Sequence, residues 1–183
     1  MITNGGESDA RLVTAARQDR SAFVALYRRY LPRVYRYVYR RVGNQQDAED
    51  VTASVFTEAM ESLNDYREQG SFAGWLFTIA HRRVADYHRR QREGISLEEV
   101  APALSDSGPG LEALALRRDR LERVAQALDE LTADRQEALA LRFFGELSNK
   151  EVAQVMGKSE AAVKMLVYRA IRQLRRRCRE DER

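Results

Sequence analysis

Apolar residues recur at three- and four-residue intervals along almost the whole chain, and no stretch of any length alternates as a strand would. That period restricts the chain to helices packed on one another. Phe23, Leu26, Tyr27, Tyr30, Val34, Val38 and Val42 make one such stripe, with arginines on the other faces. Asp19 predicts its N-cap and Gly43 its stop. Pro32, inside the pattern, predicts a kink or a division. A second helix is expected from near Gln46, burying Val51, Val55, Phe56, Ala59 and Leu63. A third runs from about Phe72 to Arg92 and buries Trp75, Leu76, Ile79, Ala80 and Val84. Asn64 to Gly74, with Gly70 and Gly74, reads as the loop leading into it.

Composition changes between Glu93 and Gly110, which hold Gly94, Pro102, Ser105, Asp106, Ser107, Gly108, Pro109 and Gly110. This is the pattern of a linker, with Ser96 and Glu99 placed to cap one short turn inside it. Helical periodicity resumes at Leu111 and continues through Leu114, Leu121, Val124, Leu128 and Leu131. Another helix is expected to start at Thr132 or Asp134 and to end at Gly145. The fold class is therefore all-α, two small helical domains joined by a flexible linker. The expected limits are an N-terminal extension over 1–18, a first domain over 19–92, a linker over 93–112 and a second domain over 113–183.

Charge is divided along the chain in a way the net value of +3 conceals. Between Asp47 and Glu68 the acids Asp47, Glu49, Asp50, Glu58, Glu61, Asp65 and Glu68 face the single cation Arg67. Arginines return at Arg82, Arg83, Arg89, Arg90 and Arg92, and again at Arg169, Arg172, Arg175, Arg176, Arg177 and Arg179. Basic segments on either side of an acidic one suit two kinds of partner, a polyanion and a basic protein surface. Solvated helix faces account equally for any one run taken alone.

Ser148 to Arg169 reads SNKEVAQVMGKSEAAVKMLVYR. Ala153, Gly157, Val163 and Leu166 fall at helix-turn-helix spacing: a small residue where two helices meet, a glycine for the turn, and apolar residues that lock the second helix. Val152, Val155 and Met156 complete the buried face. The second helix begins near Ser159 and is strongly basic, as a helix entering the major groove would be. A structural helical hairpin with a solvated tail has the same pattern. Lys164 and Arg169 are the first candidates for bases or phosphates, and Arg172 to Arg179 suit phosphate.

Catalysis finds no support in the residues. His81 and His88 are the only histidines and lie seven apart with Asp86 nearby, whereas a zinc site takes three or four ligands. A solvent- or DNA-facing pair is expected. No Gly-rich phosphate loop or nucleophile motif is present, so neither an enzyme nor a cofactor is expected. Cys178 is the one cysteine, which rules out an intrachain disulfide and fits a reducing compartment. Met1 to Ala10 is polar, without a signal-peptide core, and no apolar run approaches the roughly 18 residues of a span. A cytoplasmic chain without membrane insertion is expected.

Taken in order, three stretches resemble the extracytoplasmic-function (ECF) group of bacterial sigma factors. FVALYRRYLPRVYRYVYRRVGNQQDAEDVTASVFTEAM (Phe23 to Met60) is similar to the group's first helices. SFAGWLFTIAHRRVADYHRR (Ser71 to Arg90) is similar to its promoter-melting segment. LDELTADRQEALALRFFGELSNKEVAQVMGKSEAAVKMLVYRAIRQL (Leu128 to Leu174) is similar to its C-terminal domain.

The resemblance implies a factor that binds core RNA polymerase and directs initiation at promoters with −10 and −35 elements, itself catalysing nothing. Asp47, Glu49 and Asp50, with Glu58, would dock on the basic coiled coil of the β′ subunit. The acidic trio also complements the helix dipole, and the two roles are compatible. Ser71 and Phe72 would hold a flipped base of the −10 element, while Arg82, Arg83, Arg89 and Arg90 would face DNA. Trp75 is either core or a stacking platform. Ser159, Glu160, Lys164, Arg169 and Arg172 would read the −35 element. Leu139 to Phe144 would serve as core or as the docking surface for the β flap. An anti-sigma factor is the further partner implied, and a monomer is expected when free. Two departures stand out. Arg82 replaces a frequent Asn, and Met165 and Leu166 stand where a polar residue and an arginine are common. A free-standing helix-turn-helix regulator would explain the C-terminal half equally well, but not WLFTIAHRR or the acidic helix.

Overall fold

A computed structural model of the chain describes residues 8–67, 70–93 and 124–180. The expected linker beyond Glu93, the Ser96–Glu99 turn and the periodicity from Leu111 to Leu121 lie outside the described residues. Those described are helical, with short turns between helices.

Helix α1 (Asp9–Gln18) starts at an N-cap, Ser8, whose side chain accepts from the Arg11 amide. It buries Leu12, Val13 and Ala16, so this part of the expected N-terminal extension is packed into the first helical unit. Asp9 is held by Arg29 Nη1 at 2.6 Å and by the Tyr30 hydroxyl. Asp19 caps a 3-10 turn, Arg20–Ala22, by accepting from the Ser21 amide at 2.8 Å.

Helix α2 (Phe23–Val42) then runs unbroken through Pro32, so the expected division does not occur. A proline inside a helix costs about 3 kcal/mol. Tyr30, Val34, Tyr37 and Val38, all buried around it, each contribute roughly 1.5–3 kcal/mol, enough to carry the helix across. It stops at Gly43, whose φ of 90° is left-handed. Helix α3 (Gln45–Glu61) is capped by Asn44, which accepts from the Asp47 amide at 2.8 Å. Helix α4 (Phe72–Glu93) completes the first bundle by packing on α2 and α3.

In the second half, α5 is described over 124–129. Helix α6 (Ala133–Leu139) passes into a π-helical segment, Ala140–Phe144. Ser148 and Glu151 form a capping box that starts α7 (Asn149–Met156). Gly157, with φ 61°, makes the turn into α8 (Glu160–Glu180), as the helix-turn-helix spacing requires. Val163 is fully buried and Leu166 is half-buried.

The two halves share a core. Leu141, Leu147, Val152 and Val155 of the second half belong to the same apolar cluster as Leu26, Val34, Tyr37, Leu76 and Phe77 of the first. A smaller cluster of Leu131, Leu139 and Ala170 ties α8 to α6. Gly145 marks one close approach of the halves, because a Cβ there would lie 2.8 Å from the Phe77 ring, as well as 2.7 Å from the Leu141 carbonyl of its own half.

Candidate functional site

The acidic face of α3 separates into exposed and engaged members. Glu49 and Asp50 are exposed in the second turn, although Gln45 donates to Glu49 at 2.8 Å. Asp47 is half-buried, and its carboxylate accepts from the Tyr87 hydroxyl at 2.7 Å and from Asn44 at 2.6 Å. Glu58 turns towards α4, where it meets Arg82 and, at 2.6 Å, Arg83 Nε. With its side chain 17% exposed, Glu58 belongs to the α3–α4 contact and is not a free docking charge. Its two arginines are correspondingly neutralised.

At the start of α4, Ser71 accepts from the Gly74 amide at 3.0 Å and donates to Glu151 of α7. Phe72 is only 3% exposed. Its ring packs 5.3 Å from Tyr30, 5.7 Å from Tyr66 and 5.4 Å from Trp75, centroid to centroid. The expected base-holding role of Phe72 meets a buried ring here, packed into an aromatic cluster and not presented to solvent. Trp75 lies in the same cluster but is half-buried. Further along, Arg82, Arg89 and Arg90 are exposed, and Arg89 pairs with Asp86 at 3.0 Å.

On α8, Ser159 is occupied as a cap, accepting from the Ala162 amide at 3.1 Å. Glu160 and Lys164 pair at 2.8 Å on the exposed face, and that hydrogen bond holds the Glu160 carboxyl below its ordinary range. Arg169 and Arg172 are exposed further along. Met165 and Tyr168 are also largely exposed, so the substitution at Met165 leaves an apolar side chain in solvent. Between Leu139 and Phe144, Leu139, Ala140 and Leu141 are core and Phe143 alone is exposed.

Sequence reasoning missed the polar groups that join the halves. Glu137 of α6 is 5% exposed. One of its oxygens accepts from the Tyr37 hydroxyl at 2.7 Å and lies 2.9 Å from His81 Nδ1, while the other lies 2.9 Å from Arg41 Nε. Burial alone would raise this carboxyl; the hydrogen bond with His81, the Arg41 charge and the Tyr37 bond outweigh it and hold the group below its ordinary range. Tyr37, fully buried beside that carboxylate, is pushed well upward, first by burial. Arg33 donates to the Gly145 carbonyl at 3.0 and 2.8 Å and to the Glu146 carbonyl at 3.1 Å. Arg36 pairs with the Glu146 carboxylate. The sequence carried one signal for Glu137, its place four residues before Leu141 on the apolar face of its helix. His81 is thus an interdomain contact and not merely a solvent-facing group. His88 is half-buried, and burial, then the Arg41 charge, lower its pKa. No group of three or more metal-ligating side chains occurs among the described residues. No helix among them is long and apolar enough to cross a membrane.

Two family models match in chain order, Sigma-70 region 2 over residues 26–93 and Sigma-70, region 4 over residues 121–174. The ECF RNA polymerase sigma factor BldN of Streptomyces coelicolor is 38% identical over 174 residues; the match covers 90% of this chain and 63% of that protein's length. The RNA polymerase sigma factor YlaC of Bacillus subtilis is 32% identical, covering 91% of this chain and 99% of the relative. The ECF sigma factor SigD of Mycobacterium tuberculosis is also 32% identical, with 96% and 85% covered. Among solved structures, CnrH in complex with the cytosolic domain of CnrY matches with a TM-score of 0.71 at 25% identity, over 96% of this chain and 99% of that one. RpoE of Bartonella quintana, solved with the anti-sigma factor NepR, shares the fold with a TM-score of 0.67 at 23% identity, over 86% and 96%.

Proposed function

The chain belongs to the extracytoplasmic-function sigma factors, and we propose that it binds core RNA polymerase and directs initiation by reading a −10 and a −35 element. The observation that carries this reading is the order of its parts. An acidic helix and a melting-type helix occupy the first half, and a basic helix-turn-helix occupies the second. Its work is binding and strand capture, with no bond made or broken by the chain, in the cytoplasm where the polymerase acts.

Glu49 and Asp50, with Asp47 behind them, supply the charge that meets a basic coiled coil on β′. Such charges steer encounter and fix register. Ser71 and the arginines of α4 are assigned to the −10 element. There, captured bases must offset unstacking, a few kcal/mol for each flipped base. Lys164, Arg169 and Arg172 are assigned to the major groove and phosphates at −35, with Ser159 and Glu160 setting the start and electrostatics of that helix. The packed unit before the linker begins by Asp9 in this assignment, and the second unit includes 124–180. Phe143 is the exposed apolar residue available to the β flap. An anti-sigma protein is the partner expected to hold the factor inactive.

The deciding experiment adds the chain to core RNA polymerase with a randomised promoter library. Tight binding, with new start sites preceded by two spaced motifs, is expected. A folded chain that ignores the polymerase yet binds duplex DNA would replace this reading with that of a free-standing regulator.

A further inference from the structure

Helix α8 carries apolar residues on two opposite faces. One face is accounted for by the fold. Val163 is fully buried, Ala170 packs with Leu131 and Leu139, and Val167 packs against both apolar clusters. The other face has no such cover. Met165 is 47% exposed and Tyr168 is 59% exposed, which places two large apolar side chains in solvent on the helix assigned to DNA. At about 100° per residue, Ala161, Met165, Tyr168 and Arg172 follow one another in steps of four and three. They form a single ridge along the middle of the outward face, and Ala161 and Arg172 are exposed as well. Lys164 lies on one flank of the ridge, paired with Glu160 at 2.8 Å, and Arg169 lies on the other.

An apolar middle between cationic flanks fits a nucleic-acid groove better than a protein surface. The middle of a protein interface is depleted of charge, whereas this ridge runs into Arg172 and has a cation on either side. When a helix lies in the major groove, cationic side chains meet phosphates and the residues facing the groove floor meet base edges. From Ala161 to Tyr168 the helix rises about 10 Å, the length of about three base pairs. A thioether offers a base edge no donor and only a weak acceptor. The group in the major groove that an alanine methyl or a thioether chain can hold is the C5 methyl of thymine.

We propose that Met165, with Ala161 before it and Tyr168 after it, reads the −35 element by burying a thymine methyl. This rests on the sigma-factor reading and adds a specificity-determining residue to it. Recognition at that base pair comes from a carbon group and not from a hydrogen bond. Removing the methyl alone should lower affinity about fourfold, the worth of one buried carbon group. Because 5-methylcytosine carries its methyl on the same ring carbon as thymine, it should be preferred to cytosine at that position by a similar factor.

The test uses the full chain assembled with core polymerase, on a promoter recovered from the randomised library. Thymines of the −35 element are replaced one at a time by deoxyuridine, which lacks only the methyl, and promoter affinity is measured by competition. At one or more positions deoxyuridine should cost about fourfold, and 5-methylcytosine there should bind about fourfold better than cytosine. Met165→Gln, a change at an exposed position, should bind core polymerase as the unaltered chain does and lose most of this discrimination. Deoxyuridine tolerated at every thymine overturns the proposal, as does a −35 element without thymine. A Met165→Gln chain that discriminates as before overturns it too. If Met165→Gln instead weakens assembly with the polymerase while deoxyuridine is tolerated, the ridge is a protein-docking face and the proposal fails. Promoter-directed transcription by the unaltered chain, measured alongside, separates the two claims. If it is present but indifferent to the methyl, only the methyl reading fails; if it is absent, the sigma-factor reading falls and this one with it.

Discussion

Lys164 stands one turn into α8 with its side chain 60% exposed and only the nearby Glu160 as described ion-pair partner. Swapping that partner for a base edge or phosphate costs little, because exposed pairs of this kind contribute about 0.3–0.5 kcal/mol. Lys164→Ala should lower transcription from promoters with an intact −35 element by roughly five- to a hundredfold, the equivalent of about 1–3 kcal/mol, while core binding, followed by fluorescence titration, stays unchanged. Asp50→Arg should do the reverse, slowing association with core polymerase in a salt-dependent way and sparing promoter-independent DNA binding in a gel-shift assay. If both changes are silent, the two surfaces have been wrongly assigned. At this scale the sequence was legible where a residue's environment is its own helix, as for Glu49, Asp50 and Lys164. It was not legible for Glu58 or Phe72, because the partners that engage them, Arg83 and Tyr30, arrive from other helices.

The long helices were readable because period and punctuation agree. Gly43 stops α2 as expected, and the turn at Gly157 has the left-handed backbone that the spacing called for. Pro32 shows where local propensity loses to packing, since buried residues on both sides of it hold the helix together. Pro32→Ala should accordingly stabilise the chain by about 1–3 kcal/mol, seen as a higher urea midpoint with an unchanged slope; a lower midpoint would mean that the proline ring is itself a packing element. Helix α1 escaped notice because its apolar stripe is short and its flank is polar. Ser8, three residues before Arg11 and just ahead of Leu12 and Val13, was the one available signal.

The union of the halves is the property least visible in the sequence. Val152, Val155 and Met156 read as the interior of a helix-turn-helix, and periodicity reports that a face is buried without saying against what. Acid should weaken the joined form in two steps. The lowered pKa of His88 means that stability is lost as pH falls below its ordinary 6.5, because the folded chain resists charging it. The depressed Glu137 and Glu151 carboxyls contribute stability above their ordinary 4.5, and it is lost as pH falls through their lower folded values. Around Glu137 the facing groups are Tyr37 and Arg41 from α2 and His81 from α4. Thermal melts from pH 7.5 down to about 3 should show the upper step vanish in His88→Gln and the lower step shrink in Glu137→Gln. Equal pH dependence in all three chains would remove these groups as the cause.

The residues proposed to read the −35 element are left open to solvent in the joined form. Lys164, Arg169 and Arg172 remain exposed on α8 while Ser71 is occupied. On the proposed assignment, these residues would hold the phosphate rails of any duplex, a grip that carries no sequence information and weakens steeply with salt. A grip of that kind lets a protein sample many sites by sliding, and on the proposed reading that is how this chain would search for its promoters.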